Sequence, residues 1–360
     1  ETWRERRPRP APPRPGAWRV KAEAAVLGDD GGQQPLRRGG LQLRLDGVHA
    51  VPSGEAREFA AWLRRDRTVQ DLTVCIAGSS AAAIACIAEA LVPNIYLESL
   101  TFEDSEVGCE GARHLARALG ENTWLKGLDL SANRIGAAGA DRLADILLDG
   151  CKLRRLSLAS NHLGGAGVRR LAKALELGRE RELQELDVSR NGIGVAGARC
   201  LGEALARNKR LISLELAGNA VRCCGAQYIA VGLASNVTLR HLGLAANRIA
   251  APGALYLAQH LEGAALSSLD LGDNSIGDHG AARLLADLVA RRGPSSRLES
   301  LDLSGNALGP GAAEAAAQAL GAKSPLRHLA MGRNAIGDSG AGLIAAALGG
   351  GGAVGGGGGG

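Results

Sequence analysis

A leucine pattern that returns about every 28 residues is the strongest constraint on what this chain can fold into. Repeats begin at Val69, Leu97, Leu125, Leu153, Leu183, Leu211, Leu239, Leu266, Leu298 and Leu326, at intervals of 28, 28, 28, 30, 28, 28, 27, 32 and 28 residues. The pattern is LxxLxLxxNxIGxxGAxxLAxAL, seen most clearly in LKGLDLSANRIGAAGADRLADIL (125–147). Leu128 and Leu130 alternate, as a half-buried strand requires, and Leu143 and Leu147 are spaced for one face of a helix. Ten repeats in register predict a solenoid over residues 69–348. The two longer intervals place insertions at helix exits, near Gly178–Arg181 and Arg292–Ser296.

The flanks break the pattern by degrees. Leu41–Leu45 reads as a strand and Glu55–Arg65 as a helix capped by Ser53, with Phe59 and Leu63 as its apolar face. Leu43 and Leu45 stand 29 residues before Leu72 and Val74, so residues 41–68 form a degenerate N-terminal capping unit. Residues 1–40 are expected to be disordered. The first 19 hold six Arg and five Pro, and 28–40 is a Gly-rich linker. The Gly run over 349–360 is expected to be a disordered tail.

Charge and cysteine usage narrow the function classes. Residues 1–68 carry 14 Lys/Arg against 9 Asp/Glu, whereas 69–360 carry 28 of each, so the net charge of +5 belongs to the N-terminal segment. The repeats therefore have no basic excess, and no nucleic acid is expected on them. Seven cysteines without a CxxC pair suit a reducing compartment, hence a cytoplasmic protein. No apolar run reaches the ~18 residues of a membrane span. The seven His occupy unlike places in the repeat, and GxxxxGK[ST] is absent. No enzyme activity, cofactor or metal is expected.

In each repeat a buried turn needs its backbone groups satisfied, and an amide can both donate and accept. Asn133, Asn161, Asn191, Asn219, Asn247, Asn274, Asn306 and Asn334 are expected to form a structural ladder between neighbouring loops. Gly136, Gly164, Gly194, Gly277, Gly309 and Gly337 then allow the tight turn into each helix. Asn236 heads an NVT sequon, which matters only in a secreted chain.

These residues resemble the ribonuclease-inhibitor type of leucine-rich repeat. That type also builds the C-terminal regions of NOD-like receptors and the body of the Ran GTPase-activating protein. The resemblance implies an α/β horseshoe with a parallel sheet on the concave face and helices on the convex face. Spacing gives the same expectation, because strands sit ~4.8 Å apart and helices ~8–10 Å apart, which forces the stack to curve.

Residues between the strand leucines should face the concave side. That strip reads Thr73, Thr101, Asp129, Ser157, Asp187, Glu215, Gly243, Asp270, Asp302, Ala330, with Arg155, His241 and His328 beside it. The acidic members either keep the face soluble or bind a basic protein partner. Tyr96 with Trp124, and Tyr228 with Tyr256, are each 28 apart and are expected to touch across repeat boundaries. The function that follows is an intracellular protein-interaction scaffold, as in the regulatory region of a NOD-like-receptor-type protein. A GTPase activator resembling the Ran-specific one is an alternative, although that family carries a strongly acidic C-terminal segment. A nuclease inhibitor is another, although that family is richer in Cys and concave aromatics.

Overall fold

The computed structural model describes residues 18–23, 41–47, 53–76, 81–178, 182–261, 264–290, 298–321 and 326–349. The Arg/Pro-rich 1–17, the linker 28–40, the insertions at 179–181 and 291–297 and the Gly run from 350 lie outside the described residues. The chain divides into two compact units, residues 1–161 with 178–182, and residues 162–177 with 183–360. Its architecture is an α/β leucine-rich-repeat solenoid, strand alternating with helix.

In the N-terminal unit the strands are β1 (Trp18–Glu23), β2 (Leu41–Gly47), β3 (Val69–Ile76), β4 (Ser99–Glu103), β5 (Gly127–Asp129) and β6 (Arg155–Ser157). The helices between them are α1 (Ser53–Leu63), α2 (Ala81–Leu91), α3 (Gly108–Glu121) and α4 (Gly136–Asp149). Strands β2 to β6 pair in parallel, each with the next. Leu43 lies opposite Leu72 and Leu45 opposite Val74, the 29-residue offset of the sequence. Leu41 pairs with Val69 at an offset of 28, so the register slips by one and Gln70 is left as a bulge. Phe59 and Leu63 are fully buried beneath the first repeats.

Strand β1 corrects the expectation that residues 1–40 are wholly disordered. It pairs antiparallel with β2 from Trp18 opposite Gly47 to Glu23 opposite Gln42. The physical reason is the edge of β2, which would otherwise present a row of unpaired N–H and C=O groups. The segment WRVKAE alternates apolar and polar residues and so suits a strand. Proline density upstream of it hid that pattern.

In the C-terminal unit the strands are β7 (Glu185–Asp187), β8 (Ser213–Glu215), β9 (His241–Gly243), β10 (Ser268–Asp270), β11 (Ser300–Asp302) and β12 (His328–Ala330). They pair in parallel in that order. The helices are α5 (Gly164–Leu177), α6 (Gly194–Arg207), α7 (Arg222–Ala234), α8 (Ala251–His260), α9 (Gly277–Ala290), α10 (Pro310–Gly321) and α11 (Gly337–Gly349). In both units the core is the layer between sheet and helices. Leu128, Leu130, Leu143, Leu214, Leu216, Leu301 and Leu303 are all buried.

Helices α6 and α7 approach unusually closely. A Cβ on Gly202 would stand 2.3 Å from the Tyr228 carbonyl oxygen, and one on Gly232 would stand 2.2 Å from that of Gly202. Of the helix-start glycines, Gly136, Gly164, Gly194, Gly277 and Gly337 have φ between +61° and +69°. Gly309 does not, because Pro310 follows it and fixes a different path into α10. Its N–H is instead taken up by the Asp278 carboxylate. At the C-terminal end, most of repeat 326–348 is exposed, including Leu343 and Leu348.

Candidate functional site

Each strand of three residues places its middle residue in the core and its first and third on the open face of the sheet, away from the helices. In the C-terminal unit the third positions run in register: Asp187, Glu215, Gly243, Asp270, Asp302 and Ala330. The first positions are Glu185, Ser213, His241, Ser268, Ser300 and His328. Both histidines are exposed. In the N-terminal unit the third positions are Thr101, Asp129 and Ser157, in register with Thr73. The matching first positions are Asp71, Ser99, Gly127 and Arg155. The Arg155 guanidinium lies against Gly127, 3.2 Å from where a Cβ would stand. The structure therefore brings four of the five acids together and leaves Asp129 and Arg155 on the other unit.

The acids divide by what their oxygens already do. Asp129 accepts from the Ser131 N–H at 2.9 Å and its hydroxyl at 2.6 Å. Asp187 accepts from the Ser189 N–H at 2.8 Å, Asp270 from the Gly272 N–H at 2.8 Å, and Asp302 from the Ser304 N–H at 2.7 Å. Each closes the turn two residues on, which an aspartate at a strand end does readily. Glu215 is too long for that turn. It leans over Gly243, where a Cβ would overlap its carboxylate.

That position shapes its electrostatics. Glu215 is pushed up to about 7, first by burial and then by the charges of Asp187 and Asp270. Burial also raises Asp270, as do the charges of Asp302 and Asp273, while the Gly272 N–H opposes the shift. A row of carboxylates on strands ~4.8 Å apart holds its charges at a cost that an approaching cation would relieve.

The Asn ladder positions this face without forming part of it. Asn219 is buried, and its Oδ1 accepts from Asn191 N–H at 2.8 Å and Ile193 N–H at 3.4 Å. Its Nδ2 donates to the carbonyls of Val188 and Leu216, both at 2.9 Å. Asn133, Asn161, Asn247, Asn274, Asn306 and Asn334 repeat this, each accepting from the preceding loop and donating to a carbonyl in or just past the strand of the preceding repeat. Asn191 accepts from the Leu163 N–H and donates to the Val188 carbonyl of its own repeat.

A second row went unforeseen. Asp66, Asn94, Asn122, Asn208 and Asn236 close the loops from helix to strand and are all buried. Asn236 Nδ2 donates to the Leu205 carbonyl at 2.7 Å and the Asn208 carbonyl at 3.0 Å, so the sequon amide is committed to the fold. The 28-residue steps from Asn94 to Asn122 and from Asn208 to Asn236 carried that signal.

Three of the four periodic aromatics are exposed rather than in the core. Trp124, Tyr228 and Tyr96 are 51%, 42% and 36% exposed. Among the described residues the ring pair is Phe59 with Trp62, at 5.4 Å.

Six segments match the Leucine Rich repeat family: residues 121–144, 151–172, 181–202, 266–285, 295–315 and 322–345. Those six segments have the form of leucine-rich repeats. No curated protein matches the chain in sequence. Three solved structures show its similarities. The yeast Rad7–Elc1 complex is 18% identical with a TM-score of 0.47, over 82% of this chain and 80% of that one. The TLR13–ssRNA13 complex is 19% identical with a TM-score of 0.45, over 76% of this chain and 37% of that one. Actin-binding site 2 of leiomodin-1 is 21% identical with a TM-score of 0.36, over 43% of this chain and 87% of that one. Among the described residues no helix is long and apolar enough to cross a membrane, and no His/Cys/Asp/Glu group could hold a metal ion.

Proposed function

We propose that this leucine-rich-repeat array is a protein-interaction scaffold that receives a basic segment of a protein partner on the open face of its sheet. The observation that carries this reading is the row Asp187, Glu215, Asp270 and Asp302, in register and without a basic residue in it. Complementary charge steers encounter and sets register more than it adds raw affinity. Aligned strands supply a rigid surface on which such charges keep their spacing. Seven cysteines with no CxxC pair fit a reducing, cytoplasmic setting. The finer placement, as the regulatory region of a NOD-like-receptor-type protein, rests on the resemblance of the repeats alone.

The test is affinity capture from cell lysate on the wild-type chain and on Asp187→Asn/Glu215→Gln/Asp270→Asn, eluted along a salt gradient. The reading expects basic proteins to elute from wild type at moderate salt and to be lost from the variant. An identical bound set on both columns would refute it.

A further inference from the structure

The loops that enter β3, β4 and β5 form an edge of the N-terminal unit that the sheet-face reading does not use. Each is built on one buried side chain three residues before the residue that opens the repeat, Val69, Leu97 or Leu125. Asp66 Oδ1 accepts from the N–H groups of Thr68 and Val69, both at 2.8 Å. Asn94 Oδ1 does the same for Tyr96 and Leu97, and Asn122 Oδ1 for Trp124 and Leu125, all at 2.9 Å. The loops are also tied to one another, because Asn122 Nδ2 donates to the Asn94 carbonyl at 2.9 Å. Asn94 Nδ2 reaches back to the Leu63 carbonyl at 2.7 Å.

These bonds hold the backbone of Tyr96 and Trp124 still while their rings stand in solvent. Ile95, at 47% exposed, sits beside Tyr96. Three large apolar side chains thus stand exposed on two consecutive loops. Aromatic anchors on a fixed backbone lose little entropy on binding, which is how they come to dominate interface energy. The matching loops of the C-terminal unit carry Lys209–Arg210 and Val237–Thr238, with no aromatic residue.

Charge sets the polarity of the edge. Arg65 and Arg67 are exposed on the loop before these two, and among the described residues neither is in an ion pair. Glu89 is paired with Arg64 at 3.5 Å and Glu98 with Lys126 at 2.9 Å. Cations therefore stand at the α1–β3 loop and apolar rings at the next two.

We propose that this edge is a docking site for an extended peptide segment of another protein, acidic where it meets Arg65 and Arg67 and apolar where it crosses Ile95, Tyr96 and Trp124. The site is independent of the acidic sheet face and opposite to it in charge preference.

The experiment is selection of a displayed library of random 12-residue peptides on the full chain, followed by titration of the enriched peptides. The site predicts sequences that pair Asp or Glu with Leu, Pro or aromatic residues. Trp124→Ala should weaken them about thirty-fold. Arg65→Glu/Arg67→Glu should weaken them about five-fold or more, with a reduced salt dependence. Asp187→Asn/Glu215→Gln/Asp270→Asn should leave them unchanged, which separates this site from the sheet face. Because Arg65, Arg67 and Trp124 are exposed, their variants should melt with wild type. A second measurement uses emission: bound peptide should shield wild-type tryptophan from acrylamide, and the shielding should vanish in Trp124→Phe. Enrichment of basic peptides, binding indifferent to Trp124→Ala, or no enrichment would each overturn the proposal.

Discussion

Replacing Asn219 with alanine tests the ladder at a fully buried rung. The side chain is inaccessible to solvent and bridges two loops and two strands. Removing it leaves the Asn191 N–H, bonded at 2.8 Å, without its acceptor, together with the weaker Ile193 contact at 3.4 Å. The carbonyls of Val188 and Leu216 lose a donor as well. One well-formed buried donor left unpaired costs about 1–3 kcal/mol, and the second contact and the void push the total to about 2–4 kcal/mol. Asn334→Ala removes bonds of similar length to the Asn306 and Leu308 N–H groups, but from a half-buried site that water can reach. Its cost should be about 1 kcal/mol. Urea unfolding gives the comparison, and hydrogen exchange at the Asn191 and Ile193 amides localises it. If Asn219→Ala unfolds at the wild-type midpoint, or those two amides exchange no faster, the ladder does not carry the load assigned to it.

Glu215 gives a pH test. Its folded value near 7 lies above the ordinary 4.5, so between those values the folded chain holds a proton that the unfolded chain has released. That contribution is complete below about pH 4.5 and is lost as pH rises through 7. Thermal stability should therefore fall from pH 5 to 8 more steeply in wild type than in Glu215→Gln, and parallel profiles would dismiss the assignment. Deleting residues 1–23 removes β1, which should lower the unfolding midpoint and promote association through the bared edge of β2; sedimentation and melting check this. Hydrogen exchange should find residues 326–349 the least protected part of the C-terminal unit, since so much of that repeat is exposed. Asn236 should carry no glycan in the folded chain even after passage through a secretory pathway, as mass spectrometry can show.

Much of the fold was legible because the leucine period states both geometries at once. The spacing of Leu128 and Leu130 admits a strand, and that of the helix residues after Asn133 admits a helix. The 29-residue offset of Leu43 from Leu72 even contained the bulge at Gln70. Backbone conformation was legible only where glycine marked it. Ala132 and Arg134 have φ of +59° and +55° on either side of Asn133, and nothing in their side chains announces it. They hold that conformation because the neighbouring loop takes up their backbone groups, as where the Ala132 N–H reaches the Ala159 carbonyl at 2.8 Å. The acidic strip was legible as a list of positions. That Glu215 leans across to the next strand follows only from the absence of a side chain at Gly243, a relation between two repeats.

The close seat of Gly202 against Gly232 bears on how this array can be rearranged. Repeats of one length and one pattern invite recombination, in which one copy is duplicated, lost or exchanged for another. Most joints here would tolerate that, since the consensus puts alanine at the equivalent helix positions, as at Ala172, Ala174, Ala204 and Ala230. A consensus copy brought in for either α6 or α7 alone would press a methyl group onto a carbonyl oxygen about 2.2–2.3 Å away. The two repeats are thus matched to one another and should move, in evolution or in the hands of an engineer, as a single cassette.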